Sequence, residues 1–162
     1  MAAATRLENH MKFRFPIVII DEDFRSENTS GLGIRALAQA IEVEGFEVVG
    51  VTSYGDMSQF AQQQSRASAF ILSIDDEEFS HGDDIDPVVL NLRNFIDEVR
   101  RKNSDVPIYI YGETKTSRHL PNDILRELHG FIHMFEDTPE FVARHIIREA
   151  KSYLEGIQPP FF

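Results

Sequence analysis

Hydrophobic and polar residues alternate along this chain in blocks that predict strands and helices in turn. Short, nearly continuous apolar runs are typical of strands buried on both faces of a sheet. Such runs lie at 13–20, 48–51, 69–74, 107–111 and 131–135. Between and after them, apolar residues recur mainly three and four positions apart, which is the spacing of one helix face. Helices are therefore predicted at 34–41, 56–60, 86–99, 121–128 and 139–153.

Turn and capping residues mark the ends of these elements. Gly45 is expected to close the first helix as a C-cap, and Asp86-Pro87 to open the third. Pro121 is expected to open the fourth helix and Gly130 to end it. The regular order of strand and helix predicts an α/β domain with a parallel sheet covered on both faces. At this length we expect a flavodoxin-like, response-regulator-receiver-like sheet of five strands in the order 2-1-3-4-5.

Composition and charge limit the cellular environments and the classes of partner that we expect for this protein. The chain has 162 residues and no cysteine, which excludes disulfides and cysteine-based metal sites and favours a cytoplasmic protein. Its net charge of −11 repels nucleic acid and anionic lipid. No apolar run approaches the ~20 residues of a membrane span, and the first ten residues lack the apolar core of a signal peptide. We therefore expect neither nucleic acid nor a membrane as a partner.

Acidic residues follow two neighbouring strands of the predicted sheet. Asp21 and Glu22 come directly after the first strand, and Asp75 follows the third. Ligand sites of open α/β sheets lie at this carboxyl edge, and clustered carboxylates can hold Mg²⁺. The arrangement resembles the acidic pocket of a response-regulator receiver. If the third strand is aligned with that family, Ser73 takes the place of the phospho-acceptor aspartate, and Asp75 comes two residues too late.

A second departure from the receiver pattern follows the fifth strand. A working receiver has a lysine just before a proline there, whereas this chain has Glu136-Asp-Thr-Pro139. Without that cation, a phosphoryl group beside carboxylates lacks charge compensation. We therefore interpret Asp21, Glu22, Ser73 and Asp75 as a vestigial receiver-like pocket. No catalytic, cofactor-binding or metal-binding residue is assigned.

Two glycines at Ser30-Gly-Leu-Gly33 precede the first predicted helix. Glycines at a helix N-terminus can cradle a phosphate. This segment lacks the third glycine of the dinucleotide fingerprint, and no acidic residue ends the second strand. We favour a flexible turn that allows close packing of helix and strand.

Histidine, acidic and lysine residues are further candidates for sites. His129 and His133 are not expected to share a helix face, and His119, His129 and His145 are expected at the surface, while His81 could titrate near neutral pH. The stretch 75–86 contains seven carboxylates, which could be a solvated face or a dock for arginines of a partner subunit. None of the four lysines has the small-residue, histidine-flanked context that is usual for a pyridoxal Schiff base.

Several segments, taken in order, resemble a known family. The most specific are Glu136-Asp-Thr-Pro-Glu-Phe141 and the closing Pro159-Pro-Phe-Phe162. Another of these segments is Pro107-Ile-Tyr-Ile-Tyr-Gly-Glu113. They are similar to the N-terminal, receiver-like "wing" domain of bacterial pyridoxal-phosphate-dependent arginine, lysine and ornithine decarboxylases. The resemblance divides the chain into an extension at 1–12, which could be disordered, and the wing domain at 13–156. Residues 157–162 would begin a linker to a missing pyridoxal-phosphate domain.

The resemblance implies a function for the parent protein and a supporting role for this domain. The parent would remove the α-carboxyl group of a basic amino acid through a pyridoxal Schiff base. Its catalytic and cofactor residues would lie beyond Phe162, so none is carried over to this chain. The domain would contact the pyridoxal-phosphate domain of its own chain and neighbouring subunits of a homo-oligomer, a dimer or larger.

Two other classes of function are compatible with the predicted fold. The first is a stand-alone signalling receiver, or a pseudo-receiver that binds a partner; the missing lysine argues against phosphorylation. The second is a flavodoxin-like flavin or nucleotide enzyme, which ranks last because no flavin-phosphate loop follows the first strand.

Overall fold

A computed structural model describes residues 15–53, 67–74, 86–102, 105–113, 118, 120–134 and 136–157. Their strands are β1 (Ile17–Ile20), β2 (Val48–Val51), β3 (Ala69–Ser73), β4 (Ile108–Gly112) and β5 (Gly130–His133). Their helices are α1 (Thr29–Val43), α2 (Asp86–Lys102), α3 (Asn122–Glu127) and α4 (Pro139–Ile157). The predicted helix at 56–60 lies outside the described residues.

The strands form one parallel sheet in the order β2-β1-β3-β4-β5, which confirms the predicted topology. Alternate residues of each strand point to opposite faces. Val18 and Ile20 belong to a core that also contains apolar residues of α2, whereas Ile17 and Ile19 belong to a core shared with α1 and α4. Burial on both faces explains why the central strands are continuous apolar runs rather than alternating ones.

The ends of α1 follow from local capping chemistry. Asn28 is the N-cap, and its Oδ1 accepts a hydrogen bond of 2.8 Å from the amide of Gly31. Gly45 follows the helix with a φ of 101°, a left-handed conformation that side chains rarely adopt. Its amide donates to the Glu42 carbonyl at 2.9 Å. The predicted C-terminal glycine of this helix is confirmed.

Gly130 has a different role from the one predicted. The helix α3 ends at Glu127, and Gly130 is the first residue of β5. It pairs with Tyr109 of β4, and a Cβ atom at this position would lie 3.3 Å from Cδ1 of the Tyr109 ring. The glycine therefore leaves room for a large aromatic ring beside an edge strand. The sequence predicted a helix end at Gly130, because a glycine is favoured at a helix end as well as beside a large ring, and in both places for its lack of a side chain.

Among the described helices, none is long and apolar enough to cross a membrane.

Candidate functional site

Three of the predicted pocket residues lie together at the carboxyl edge of the sheet. Ile20 of β1 pairs with Leu72 of β3, so the next residues, Asp21 and Ser73, lie at the same level. Asp21 is only 3% exposed, whereas Glu22 is exposed. Asp75, the fourth predicted pocket residue, lies outside the described residues, as does the rest of the acidic stretch 75–85.

Backbone hydrogen bonds hold Asp21 in place, and its charge acts on a nearby tyrosine. Its Oδ1 accepts a hydrogen bond of 2.8 Å from the amide of Asp23, and its own amide donates to the Val51 carbonyl at 3.0 Å. Tyr111 of β4 lies close enough to be affected by its charge. Burial, assisted by the negative charge of Asp21, raises the pKa of Tyr111 to about 12. The tyrosine is therefore neutral at physiological pH.

The segment after β5 brings further carboxylates to this edge. Asp137 Oδ2 accepts a hydrogen bond of 2.8 Å from the His133 amide. A cleft of about 300 Å³ lies between α1, β4 and the start of α4, with Tyr111, Glu136 and Asp137 in its wall. The described residues that line it include no lysine or arginine. Thr138, not a lysine, precedes Pro139. A phosphoryl group bound here would therefore meet carboxylates without a lysine or arginine of this cleft to neutralise it.

The two glycines near the start of α1 serve packing. Both lie within the helix, which begins at Thr29, rather than in a turn before it. A Cβ atom on Gly31 would lie 2.2 Å from the Ser26 carbonyl oxygen and 2.4 Å from that of Asp23. Carbonyl oxygens repel an anion, so this position is not a phosphate cradle. The close packing of helix and strand that we expected is present at Gly33, where an added Cβ atom would lie 2.9 Å from the hydroxyl oxygen of Tyr111 in β4. The expected flexible turn is not present, because Asn28 caps the helix before Gly31.

Arg35 of α1 holds the loop that follows β1. Its Nη1 donates to the carbonyl oxygens of Phe24 and Ser26, each at 2.7 Å, and its Nη2 lies 3.8 Å from a Glu27 carboxylate oxygen. This arginine thus directs its charge toward the protein's own backbone. Sequence reasoning missed it, because a single arginine in a helix carries no signal of its partner.

Two histidines flank a buried tyrosine at the β5 edge of the sheet. Tyr109 is 1% exposed, and its hydroxyl has no hydrogen-bond partner among the described residues. The ring centroids of His129 and His145 lie 6.3 Å and 5.9 Å from that of Tyr109. Burial, and secondarily the charge of Arg100, lowers the pKa of His129. Both histidines are exposed, as predicted, yet their contact with Tyr109 was not foreseen.

A histidine metal pair is not supported by the geometry. His129 precedes β5 and His133 ends it, so four residues of extended chain, roughly 13 Å, separate them. Among the described residues, no group of three or more histidine, cysteine, aspartate or glutamate side chains could hold a metal ion. His81 and His119 lie outside the described residues.

The described lysines do not fit a pyridoxal site. Lys102 is exposed at the end of α2 and Lys151 is half-buried on α4. Neither lines the cleft at the carboxyl edge, nor a second cleft of about 400 Å³ beside Arg100 and His129. A pyridoxal Schiff base needs a lysine inside a pocket. Lys12 and Lys115 lie outside the described residues.

Comparison with known proteins gives the family. A family model described as "Orn/Lys/Arg decarboxylase, N-terminal domain" matches residues 29–153. Lysine decarboxylase LdcA of Pseudomonas aeruginosa is 26% identical over 152 residues, which are 92% of this chain and 20% of LdcA. The biodegradative arginine decarboxylase of Escherichia coli is 23% identical over 148 residues, 90% of this chain and 19% of that protein. The chain thus spans about a fifth of the length of these curated relatives.

Solved structures confirm the fold. Lysine decarboxylase A from Pseudomonas aeruginosa superposes with a TM-score of 0.75 at 24% identity, over 92% of this chain and 20% of that one. A response regulator receiver domain from Clostridium thermocellum superposes with a TM-score of 0.58 at 11% identity, over 85% of this chain and 95% of that one. The receiver-like fold is shared by both, whereas the family match covers most of the chain. The chain belongs to the family of N-terminal domains of ornithine, lysine and arginine decarboxylases.

Proposed function

We propose that this chain is the non-catalytic N-terminal assembly domain of a pyridoxal-phosphate-dependent arginine, lysine or ornithine decarboxylase. The observation that carries the proposal is the family match over 29–153, in a chain that spans only the N-terminal fifth of its relatives. The domain contacts the pyridoxal-phosphate domain of its own chain and neighbouring subunits of a homo-oligomer. It acts in the cytoplasm, without nucleic acid or membrane partners.

The carboxyl edge of the sheet supports a non-catalytic role. Asp21 and Ser73 lie level there, but the serine hydroxyl cannot form an acyl phosphate, which requires the carboxylate of an acidic acceptor. Thr138 stands where a receiver has its lysine, and the cleft beside it presents carboxylates. A receiver-like fold does not depend on phosphotransfer residues for its stability, so it can serve as a rigid binding domain without them.

Pyridoxal phosphate belongs, in this proposal, to the domain beyond Phe162. When bound, it supplies the electron sink for decarboxylation, and its lysine comes from that domain. The residues of this chain only hold the domain together and present its surface.

The reading frame beyond the codon for Phe162 is the first test. We expect it to continue for several hundred codons and to encode a pyridoxal-lysine motif. A stop codon directly after Phe162 would overturn the proposal.

A deletion of residues 1–156 from the full-length enzyme tests the assembly role. We expect decarboxylation per assembled active site to persist while light scattering shows a smaller oligomer. An unchanged oligomer with lost activity per site would contradict an assembly role and favour a catalytic one.

A stand-alone pseudo-receiver is the second candidate. It is favoured by the superposition of most of this chain on 95% of a solved receiver domain. Titration with beryllofluoride and Mg²⁺, with Asp21→Asn as the control, distinguishes the two. Saturable binding that Asp21→Asn abolishes would favour a working signalling receiver and refute a vestigial pocket.

A further inference from the structure

The solvent face of α1 is unusually poor in charge. Only two of its fifteen residues are charged, Arg35 and Glu42, against seven of seventeen in α2. Arg35 is turned toward the carbonyl oxygens of the preceding loop. In a protein of net charge −11, this nearly uncharged exposed helix face differs from the charge-rich α2.

Uncharged side chains on this face, three of them apolar, are spaced like the seam of a helix pair. Leu32, Ala36, Gln39 and Val43 are exposed and follow one another at intervals of four, three and four residues. This is the spacing of alternating a and d positions in a coiled coil. Leu32 is 54% exposed and Val43 is 85% exposed, although both are large apolar residues. We call these four residues the α1 seam.

We propose that the α1 seam binds the same seam of a second copy of this domain in an antiparallel helix pair, which rests on the proposed assembly role. A two-fold axis between Ala36 and Gln39 places Leu32 of one copy opposite Val43 of the other. Each large apolar residue then covers its counterpart at both ends of the contact. An interface with this symmetry uses one patch on both copies.

Charge and size also fit a second copy. Arg35 and Glu42 flank the seam on one side with opposite signs, so the antiparallel pair brings Glu42 toward the Arg35 end of the other copy. The small Ala36 at the centre lets the two helices approach closely. A parallel pair would instead place the Arg35 and Glu42 side chains of the two copies on opposite sides of the seam, where they do not meet.

The contact is small, and the pairing of isolated domains is accordingly weak. Leu32 and Val43 are eleven residues apart, about 16 Å along the helix axis. A single helix pair of that length buries well under the ~800 Å² per partner of a stable complex. We expect a dissociation constant on the order of 100 µM for the isolated chain. In an oligomer, tethering by other contacts raises the effective concentration.

The experiment is sedimentation velocity on the 162-residue chain and three variants up to about 1 mM, with circular dichroism to show that each is folded. Leu32→Glu and Val43→Lys should each weaken dimerisation by at least about tenfold, because each buries an unpaired charge. Leu90→Glu is the matched control. Leu90 is 53% exposed and lies near the start of α2, as Leu32 lies near the start of α1.

A mixture of variants tests the antiparallel register. In a mixed pair, Glu at 32 faces Lys at 43, while the other end keeps its native Val43–Leu32 contact. We expect the mixture of Leu32→Glu with Val43→Lys to associate at least about tenfold more tightly than either variant alone. The mixture of Leu90→Glu with Val43→Lys should show no such gain, which separates register from general charge attraction.

The opposing outcomes are distinct. A wild-type chain that stays monomeric at about 1 mM overturns the pairing, while the deletion experiment on the full-length enzyme still tests the assembly role on its own. Dimers that survive Leu32→Glu and Val43→Lys, or that fail equally with Leu90→Glu, also overturn it. Pairing without rescue in the mixture refutes the antiparallel arrangement.

Discussion

Replacement of Gly31 by alanine should destabilise this domain although it adds only one methyl group. The added Cβ would lie 2.2 Å from the Ser26 carbonyl oxygen and 2.4 Å from the Asp23 carbonyl oxygen. Since real contacts of this kind do not fall below 3.0 Å, these two backbone groups must retreat by at least 0.8 Å and 0.6 Å. Both are backbone carbonyl groups, which cannot move aside as easily as the end of a flexible side chain.

The retreat disturbs hydrogen bonds that hold the loop after β1. The Ser26 carbonyl accepts from Arg35 at 2.7 Å, and the Asp23 carbonyl accepts from the Ser26 amide at 2.9 Å. Overpacking costs about 1–3 kcal/mol, and each weakened hydrogen bond about 1 kcal/mol. Alanine returns about 1 kcal/mol through its better helix propensity. We therefore expect a net loss of about 2–4 kcal/mol.

Urea unfolding followed by circular dichroism measures this loss. For a chain of this size, 3 kcal/mol corresponds to a Tm decrease of about 6–12 °C. Gly156→Ala is the matched control, because no atom lies within 4 Å of its added Cβ. It should be neutral or stabilise by up to about 1 kcal/mol. Equal unfolding midpoints for the two variants would refute the reasoning.

Further predictions concern the edges of the sheet. Arg100 donates to the Val106 carbonyl at 2.7 Å and to two oxygens of α3. Arg100→Gln should therefore lower the free energy of unfolding in urea by about 1–3 kcal/mol. Arg93 is more exposed and also pairs with an acid of α3, so Arg93→Gln should lower the free energy of unfolding by less. Tyr109→Phe should be neutral or stabilise by up to about 1 kcal/mol in the same assay, since it removes a buried hydroxyl without a partner among the described residues. A large loss would contradict that assignment. His129 has a pKa below its unfolded value of 6.5, so the unfolded chain binds more protons and stability should rise with pH up to about 6.5. Urea midpoints between about pH 5 and 7.5 should show a smaller slope for His129→Gln, and an unchanged slope would refute this role.

The sequence predicts which residues lie at the carboxyl edge of the sheet, but not how they interact there. The ends of strands can be read from apolar runs, so the sequence alone places Asp21 and Ser73 at one edge. The charge of Asp21 acting on Tyr111, in contrast, depends on the register of β1, β3 and β4. That register is set by packing of the whole sheet, and no local pattern encodes it.

Glycines show the same division. Gly45 follows an amphipathic stretch, and its left-handed conformation is a local property of a helix end. Gly31 is required by its contact with the Ser26 carbonyl, and Gly130 by its contact with the ring of Tyr109, which lies 21 residues earlier in the chain. Their signals in the sequence are those of turns, and both were wrongly assigned to turns or helix ends for that reason.

The sequence by itself determined the class of the fold, the order of the described strands and helices, the absence of a lysine before Pro139 and the family resemblance. Each of these depends on residue identity and on periodicities that repeat within a few turns or strands. Only the tertiary structure decided which residues contact one another, such as the carbonyl oxygens around Gly31 and the histidines around Tyr109. It also decided which face of α1 stays exposed. Those contacts join residues from different elements, and their geometry is a property of the packed core rather than of any segment alone.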